Sequence, residues 1–235
     1  MDKLFLGLIA SGVALSHAAA QEPNFYVQGN IGSDFQHDEE IRGENVSGSP
    51  RNLDLSFETG SFKSVALGAY GPEGAWGRVR FDIELARREA DLEQLVLNDV
   101  ERLVRPGSDV SSTSAMINAA YDTPQFFERV RGFAGAGFGV ANLDHEVRYV
   151  IERPEAAGGN IAIAIPTTET TSIVQLFGGV EVEVLQNLSV IADVRHVDYG
   201  DSQVQRFNFS SGTLDSVLDV KKASTSVTFG ARFAF

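Results

Sequence analysis

The last twelve residues of the chain alternate strictly between two kinds of side chain. Ser224 to Phe235 reads STSVTFGARFAF, in which the odd-numbered positions are mostly apolar and include three phenylalanines. The even-numbered positions are small or polar and include Arg232. Successive side chains of a strand point to opposite faces, so the segment predicts a strand with one apolar and one polar face. A transmembrane β-barrel needs such a strand to close its sheet.

Seven earlier segments alternate in the same way and predict an all-β fold of eight antiparallel strands. They are Phe25–Gly32, Phe62–Tyr70, Trp76–Arg87, Thr113–Tyr121, Arg129–Ala141, Ser172–Val184 and Leu188–Val197. The connections after the second, fourth and sixth segments are short and contain turn-forming residues, whereas the others are long. This sorting is typical of an up-and-down transmembrane barrel with short periplasmic turns and four long extracellular loops.

Aromatic residues cluster where the short connections lie, which supports this orientation. Amphipathic rings favour the membrane–water interface, so this cluster predicts a periplasmic girdle. The predicted members are Phe25, Tyr70, Trp76, Tyr121, Phe126, Phe127, Phe233 and Phe235.

The first twenty residues have the pattern of a secretory signal peptide. Lys3 provides a weak basic region, Leu4 to Leu15 is apolar, and Ala18–Ala20 is a small-residue cleavage site. The apolar run is shorter than the ~20 residues of a membrane-spanning helix. We therefore expect residues 1–20 to be removed on export and residues 21–235 to form one outer-membrane barrel domain.

The charge and the cysteine content narrow the function classes. The formal net charge is −13, and it stays −13 after residue 20 because Asp2 and Lys3 cancel. Strong acidity argues against nucleic acid as a partner. The chain has no cysteine, so an exported protein of this size must be held together by its sheet and core.

Three stretches resemble a known family. They are FYVQGNIG from Phe25, GFAGAGFGVA from Gly132 to Ala141, and SVTFGARFAF from Ser226. The chain resembles the small eight-stranded outer-membrane proteins of Gram-negative bacteria, the opacity-protein and OmpA-like barrels called porin-family proteins or surface antigens. The resemblance implies an outer-membrane location and an assembly signal at Phe235, read by the barrel-assembly machinery. It specifies architecture well and function poorly.

The inward-facing rows carry charges of both signs in nearly equal number. Unpaired like charges in a confined interior are costly, whereas matched pairs are tolerated. We therefore expect a salt-bridged network that closes the lumen and gives the protein a structural or surface role. The alternative is a narrow channel, for which wall glycines such as Gly137 and Gly179 leave space. The predicted network is Arg78, Arg80, Asp82, Glu84, Arg129, Arg131, Glu181, Glu183, Asp193, Arg195 and Arg232.

Catalysis has weak support in the sequence. The carboxylate pairs Asp82 with Glu84 and Glu181 with Glu183 are each two residues apart. This spacing is what the polar face of a strand produces, so it does not by itself indicate catalysis. A lipid A-modifying enzyme would need a serine activated by histidine, and neither His145 nor His196 has a serine two residues later. We expect no catalytic, cofactor or metal site, although a histidine and a serine on different strands could still meet.

The long connections carry further expectations. The first is acidic, and the second has apolar residues at helical spacing that predict a short amphipathic helix near Asp91–Val104. We expect contact with outer-membrane lipids and lipopolysaccharide, while the sequence identifies no host or surface ligand. A soluble ligand-binding barrel is a further alternative.

Overall fold

A computed structural model describes residues 24–45, 48–152, 160–208 and 213–235. These residues form eleven β-strands, and the predicted signal peptide, residues 1–20, lies outside them. In the described parts of the chain, no helix is long and apolar enough to cross a membrane. The strands are β1 (Phe25–Gln36), β2 (Glu39–Asn45), β3 (Pro50–Phe57), β4 (Gly60–Tyr70), β5 (Arg78–Leu97), β6 (Val100–Val104), β7 (Asp109–Asp122), β8 (Val130–Ile151), β9 (Ile161–Leu185), β10 (Leu188–Asn208) and β11 (Leu214–Ala234).

Eight of the strands form a closed antiparallel ring. Its order is β1, β4, β5, β7, β8, β9, β10 and β11, and β11 pairs back with β1. At one end of this closing seam, the amide of Phe235 donates to the carbonyl of Phe25 at 2.8 Å, and the reverse bond is 3.1 Å. The predicted all-β, eight-stranded barrel is confirmed. We call this ring, from the short turns up to the level of Phe35, the lower barrel.

The three remaining strands continue the wall above the lower barrel. β2 pairs with β11 and β3 pairs with β5, so this hairpin takes the places that β1 and β4 hold below. β6 pairs with β5 and β8 in the place of β7, and β9 and β10 pair again at Ala164 and Phe207. We call this second level the upper tier. Much of what the sequence predicts as long loops is therefore extended strand.

The predicted helix near Asp91–Val104 is wrong, because this segment is the β5–β6 hairpin. Asn98 and Asp99 form its two-residue turn with φ of 48° and 63°, the left-handed conformation that such hairpins require. A register shift against β3 inserts one extra residue between Leu92 and Leu95. This bulge places the two buried leucines three positions apart, a spacing that imitates a helix.

The outer face of the lower barrel is apolar. Residues such as Ile31 (67% exposed), Ile117 (67%) and Phe138 (63%) point outward. Above this band the outer face becomes polar, as in the outward row Asn142, Asp144, Glu146 and Arg148 of β8. All but one of the predicted girdle aromatics are exposed at the short-turn end. The exception is Tyr70, which lies at the mouth of the interior, 4.8 Å from the ring of Tyr26.

Close strand packing generates a first prediction about stability. A Cβ at Gly139 on β8 would overlap the carbonyl oxygen of Ala115 and lie 2.8 Å from Cα of Met116. At Gly29 on β1 the nearest atom would be 4.0 Å away. We expect Gly139→Ala to lower the free energy of unfolding by about 1–3 kcal/mol through overpacking, whereas Gly29→Ala should not lower it.

The measurement is urea unfolding of refolded protein in lipid vesicles, followed by the fluorescence of Trp76, the single tryptophan. Gly29→Ala is the matched control because it makes the same chemical change in a strand of the same ring. Equal stability of the two variants would contradict the close approach at Gly139.

Candidate functional site

The interior of the lower barrel begins at the short-turn mouth with a layer of arginine–glutamate pairs. Arg232 on β11 contacts Glu181 on β9, with Nη1 2.5 Å from Oε2. The same guanidinium donates from Nε and Nη2 to Gln28 Oε1 at 2.9 and 2.8 Å. Arg131 on β8 reaches Glu73 in the first short turn at 2.8 Å. These contacts involve five separate segments of the chain at the mouth: β1, β8, β9, β11 and the first short turn.

A cavity of about 70 Å³ opens at this mouth. Arg78 lines it, with its guanidinium carbon 3.8 Å from the centre of the Tyr70 ring. The predicted charged residues Arg129 and Glu183 also line it, Arg129 exposed just before β8 and Glu183 half-buried on β9. Within the described part of the chain, neither of these two residues takes part in an ion pair, which sets them apart from the other predicted members.

Arg80 on β5 organises the next layer. Its Nε donates to Asp122 Oδ1 at 2.8 Å, and its Nη1 lies 3.3 Å from both Asp82 Oδ2 and the hydroxyl of Tyr26. Its guanidinium also sits 5.0 Å from the centre of the Phe133 ring. Because Arg80 is 2% exposed, these groups replace the water that would otherwise surround its charge.

The central layer joins opposite walls of the barrel. Arg195 on β10 reaches Glu84 on β5 at 2.5 Å, and these strands are four places apart in the ring of eight. Arg195 also binds its own neighbour Asp193 through two bonds of 2.9 and 3.0 Å. Asn118 on β7 donates to Asp82 at 2.7 Å and to Glu84 at 2.9 Å. The contact between Glu84 and Arg195 therefore spans the full diameter.

Several residues of this interior are absent from the sequence prediction. Arg88 Nη2 donates to Gln175 Oε1 at 3.1 Å, and its Nε lies 3.6 Å from Asp34 Oδ1. Asp34 accepts a bond of 2.6 Å from Ser226. The alternating pattern of β5 could have identified Arg88, because it lies four residues after Glu84 and therefore faces the same side of the strand. The predicted third segment ended one residue too early to include it.

Apolar clusters separate and cap the polar layers. One lies in the lower part of the lumen, one in the middle, and the largest fills the upper tier. Their central members are Ala120, Phe133, Phe177 and Ile191 below, Phe62, Met116, Leu143, Ile173 and Tyr199 in the middle, and Ile41, Leu53, Leu55, Leu95, Leu97, Val147 and Tyr149 above.

A buried polar cluster lies between the middle and upper apolar clusters, above the apolar band. Lys222 Nζ is 3.6 Å from Glu39 Oε1, and His145 Nε2 is 3.9 Å from Glu39 Oε2. Burial and the nearby Lys222 ammonium lower the pKa of His145 to about 3. Burial raises the pKa of Glu39, and the Lys222 charge opposes that rise. His145 is therefore neutral at physiological pH.

The described histidines make few polar contacts. His145 faces Glu39, while His37 and His196 both contact the hydroxyl of Thr225. None of these partners is a serine. Among the described residues, no group of three or more His, Cys, Asp or Glu side chains is placed to hold a metal ion.

Comparisons with known proteins show the fold. No protein-family model and no curated protein matches the sequence. The outer membrane protein OprG from Pseudomonas aeruginosa is 11% identical, with 92% of this chain and 98% of that chain covered and a TM-score of 0.55. The outer membrane protease OmpT from Escherichia coli is 8% identical, with 95% and 99% covered and a TM-score of 0.52. Outer membrane protein AlkL is 16% identical, with 94% and 95% covered and a TM-score of 0.50. The chain thus has the fold of an outer-membrane β-barrel.

The central layer generates a prediction about stability. Arg195→Leu leaves the carboxylates of Glu84 and Asp193 buried without their cation, which should lower the free energy of unfolding by about 3–5 kcal/mol. The control is Arg42→Leu, which breaks an ion pair to Asp54 whose side chains are both 46% exposed. That loss should stay below ~1 kcal/mol. Urea unfolding in lipid vesicles measures both, and similar losses would argue against the central pair as a buried contact.

The His145 cluster generates a prediction about pH. In the unfolded chain His145 has an ordinary pKa of ~6.5. In the folded protein its pKa is about 3, so between these pH values the unfolded state binds a proton that the folded state does not bind. Its contribution to stability is therefore complete above the unfolded pKa and is lost as the pH falls below it. The raised pKa of Glu39 acts in the opposite direction, because the folded state then binds the proton more readily.

The test compares wild type with His145→Gln at pH 7.5 and pH 4.5. The stability advantage of wild type over the variant should shrink by up to about 2.5 kcal/mol at the lower pH. His196→Gln is the control because that histidine is exposed. If the difference in the free energy of unfolding between wild type and His145→Gln is the same at both pH values, His145 is not held neutral.

Proposed function

We propose that this protein is a surface-exposed structural barrel of the Gram-negative outer membrane whose lumen is closed by its own side chains. On this proposal residues 1–20 are a signal peptide that is removed on export. The observation that carries the proposal is the contact of 2.5 Å between Glu84 and Arg195 across the diameter of the ring.

The outer face supports the membrane location. The apolar band on β1 runs from Phe25 to Phe35. At ~3.3 Å per residue and a tilt of ~45°, that length gives a height of about 23 Å, close to the band of known outer-membrane barrels. Exposed aromatics such as Trp76 (55%) and Phe127 (70%) border the band at the short-turn end. This end faces the periplasm in the proposal, and the upper tier faces outside.

The layered interior supports closure. Arg80 and Arg195 are 2% and 3% exposed, so little water reaches the charged layers. The apolar clusters around Phe177 and Leu143 fill the levels beside these layers. An eight-stranded barrel has room for side chains and little else. A conduction path would have to break several of these contacts at once.

The proposal includes two kinds of partner. Outer-membrane lipids and lipopolysaccharide would surround the apolar band and the polar face above it. The barrel-assembly machinery would read the terminal strand, and Phe235 is the residue that pairs with Phe25 at the closing seam. No catalytic role is part of the proposal, since the histidine contacts lead to Glu39 and Thr225 and not to a serine.

Two measurements test the proposal. Wild type expressed in a Gram-negative host should fractionate with the outer membrane and migrate differently before and after boiling. Planar bilayers that contain the refolded protein should show no unitary conductance, because side chains fill the lumen. Arg42→Leu, which lies outside the lumen, should behave like wild type in both measurements.

The double variant Glu84→Ala/Arg195→Ala removes the contact across the diameter and both of its charges. We expect this variant to show no unitary conductance either, because the layer around Arg80 and the apolar clusters still fill the lumen. Reproducible conductance of wild type that changes in the double variant would favour the narrow channel. Recovery of wild type in the soluble periplasmic fraction would contradict the membrane location.

A further inference from the structure

Two exposed histidines that are far apart in the sequence meet on the outer face of the barrel. His37 follows the end of β1, and His196 lies on β10. Their ring centres are 5.5 Å apart with an angle of 43° between the planes. The pair stands just above the apolar band, beside the outward residues Phe35 and Val194.

The sheet register holds both histidines in place. His196 lies directly opposite Thr225 of β11, and Phe35 lies opposite the same threonine from β1. The backbone amide of His37 donates to the carbonyl of Ala223 at 3.0 Å. Both imidazoles are therefore held against β11, the strand that closes the barrel. Its backbone is fixed by continuous pairing with β1 and β10.

The two rings turn one nitrogen each toward a single point. His37 Nε2 and His196 Nδ1 both lie 3.1 Å from Thr225 Oγ1. Two neighbouring ligands that are each about 2.1 Å from one metal ion are about 3.0–3.4 Å apart. The distances between these nitrogens and the hydroxyl oxygen thus match the spacing of ligands around a metal ion.

The rings also have the chemical character of metal ligands. Neutral imidazole nitrogen is the commonest protein ligand of transition metals. The single hydroxyl proton of Thr225 cannot be donated to both rings, so at least one ring must donate its own N–H to the oxygen. A cation between the two nitrogens would replace these two hydrogen bonds with two direct metal–nitrogen bonds.

We propose that His37 and His196 form a surface site for a divalent transition metal, with Thr225 as the third polar group. Imidazole nitrogen favours Zn²⁺, Cu²⁺ and Ni²⁺ over Mg²⁺ and Ca²⁺. The remaining coordination positions face outward and hold water. The site lies on the outer face, so it does not depend on a closed lumen.

The test uses the full-length mature chain without a histidine tag, refolded in detergent micelles at pH 7.5. Isothermal titration with Zn²⁺ should show one equivalent bound, and Mg²⁺ at the same concentration should not compete. Electron paramagnetic resonance with Cu²⁺ should show hyperfine structure from two nitrogens.

Substitutions identify the ligands. His37→Gln and His196→Gln should each weaken Zn²⁺ binding at least tenfold, and Cu²⁺ should then show one coordinating nitrogen. His145→Gln is the matched control, since this histidine is buried elsewhere, and its binding should equal that of wild type. Migration before and after boiling verifies that each variant is folded.

Absence of Zn²⁺ and Cu²⁺ binding to folded wild type would overturn the proposal. Binding that survives both His37→Gln and His196→Gln would overturn it as well. Neither result would alter the fractionation or conductance measurements, so failure of the metal site and failure of the proposed function can be told apart.

Discussion

Closure of the hydrogen-bonded ring is the constraint on which the rest of this structure depends. Because β11 pairs with β1, no strand edge of the lower barrel is left unpaired. A membrane tolerates backbone polar groups only when they are paired internally, so closure is what permits an apolar outer face. Closure also fixes which side chains of each strand face inward, since a shift of the pairing by one residue would exchange the inward-facing and outward-facing side chains.

A closed ring of eight strands creates a narrow interior that side chains must fill. Here the filling alternates between charged layers around Arg80 and Arg195 and apolar clusters around Phe177 and Leu143. The charged layers place each cation between carboxylates from different strands. Such an arrangement offsets the cost of burial only when every member is present, which makes the network sensitive to single substitutions.

The eight strands of the lower barrel could be predicted from the sequence. Each has one face in the apolar band, so apolar and polar residues alternate along it. The sequence therefore placed Glu84 and Arg195 inside, but it could not pair them, because pairing across the diameter depends on strand order. The upper tier was missed because its strands are interrupted at His37–Asp38 and Glu58–Thr59 and shifted by the bulge beside Leu92. Glu39 and Lys222 were likewise assigned to loops. The meeting of His37 and His196 depends on register across three strands, which no local pattern contains.

The upper tier has a consequence for how the folded protein is recognised from outside. Its wall joins strands from widely separated parts of the sequence, such as β2 beside β11 and β6 beside β8. Neighbouring residues on that surface come from different segments, and alternate residues of β3 and β8 in this tier, such as Leu53, Leu55 and Val147, are buried in the core. The antigenic sites of this tier are therefore discontinuous. Antibodies raised against a linear peptide of residues 52–57 would find only part of their contact residues on the native surface, because Leu53 and Leu55 are buried.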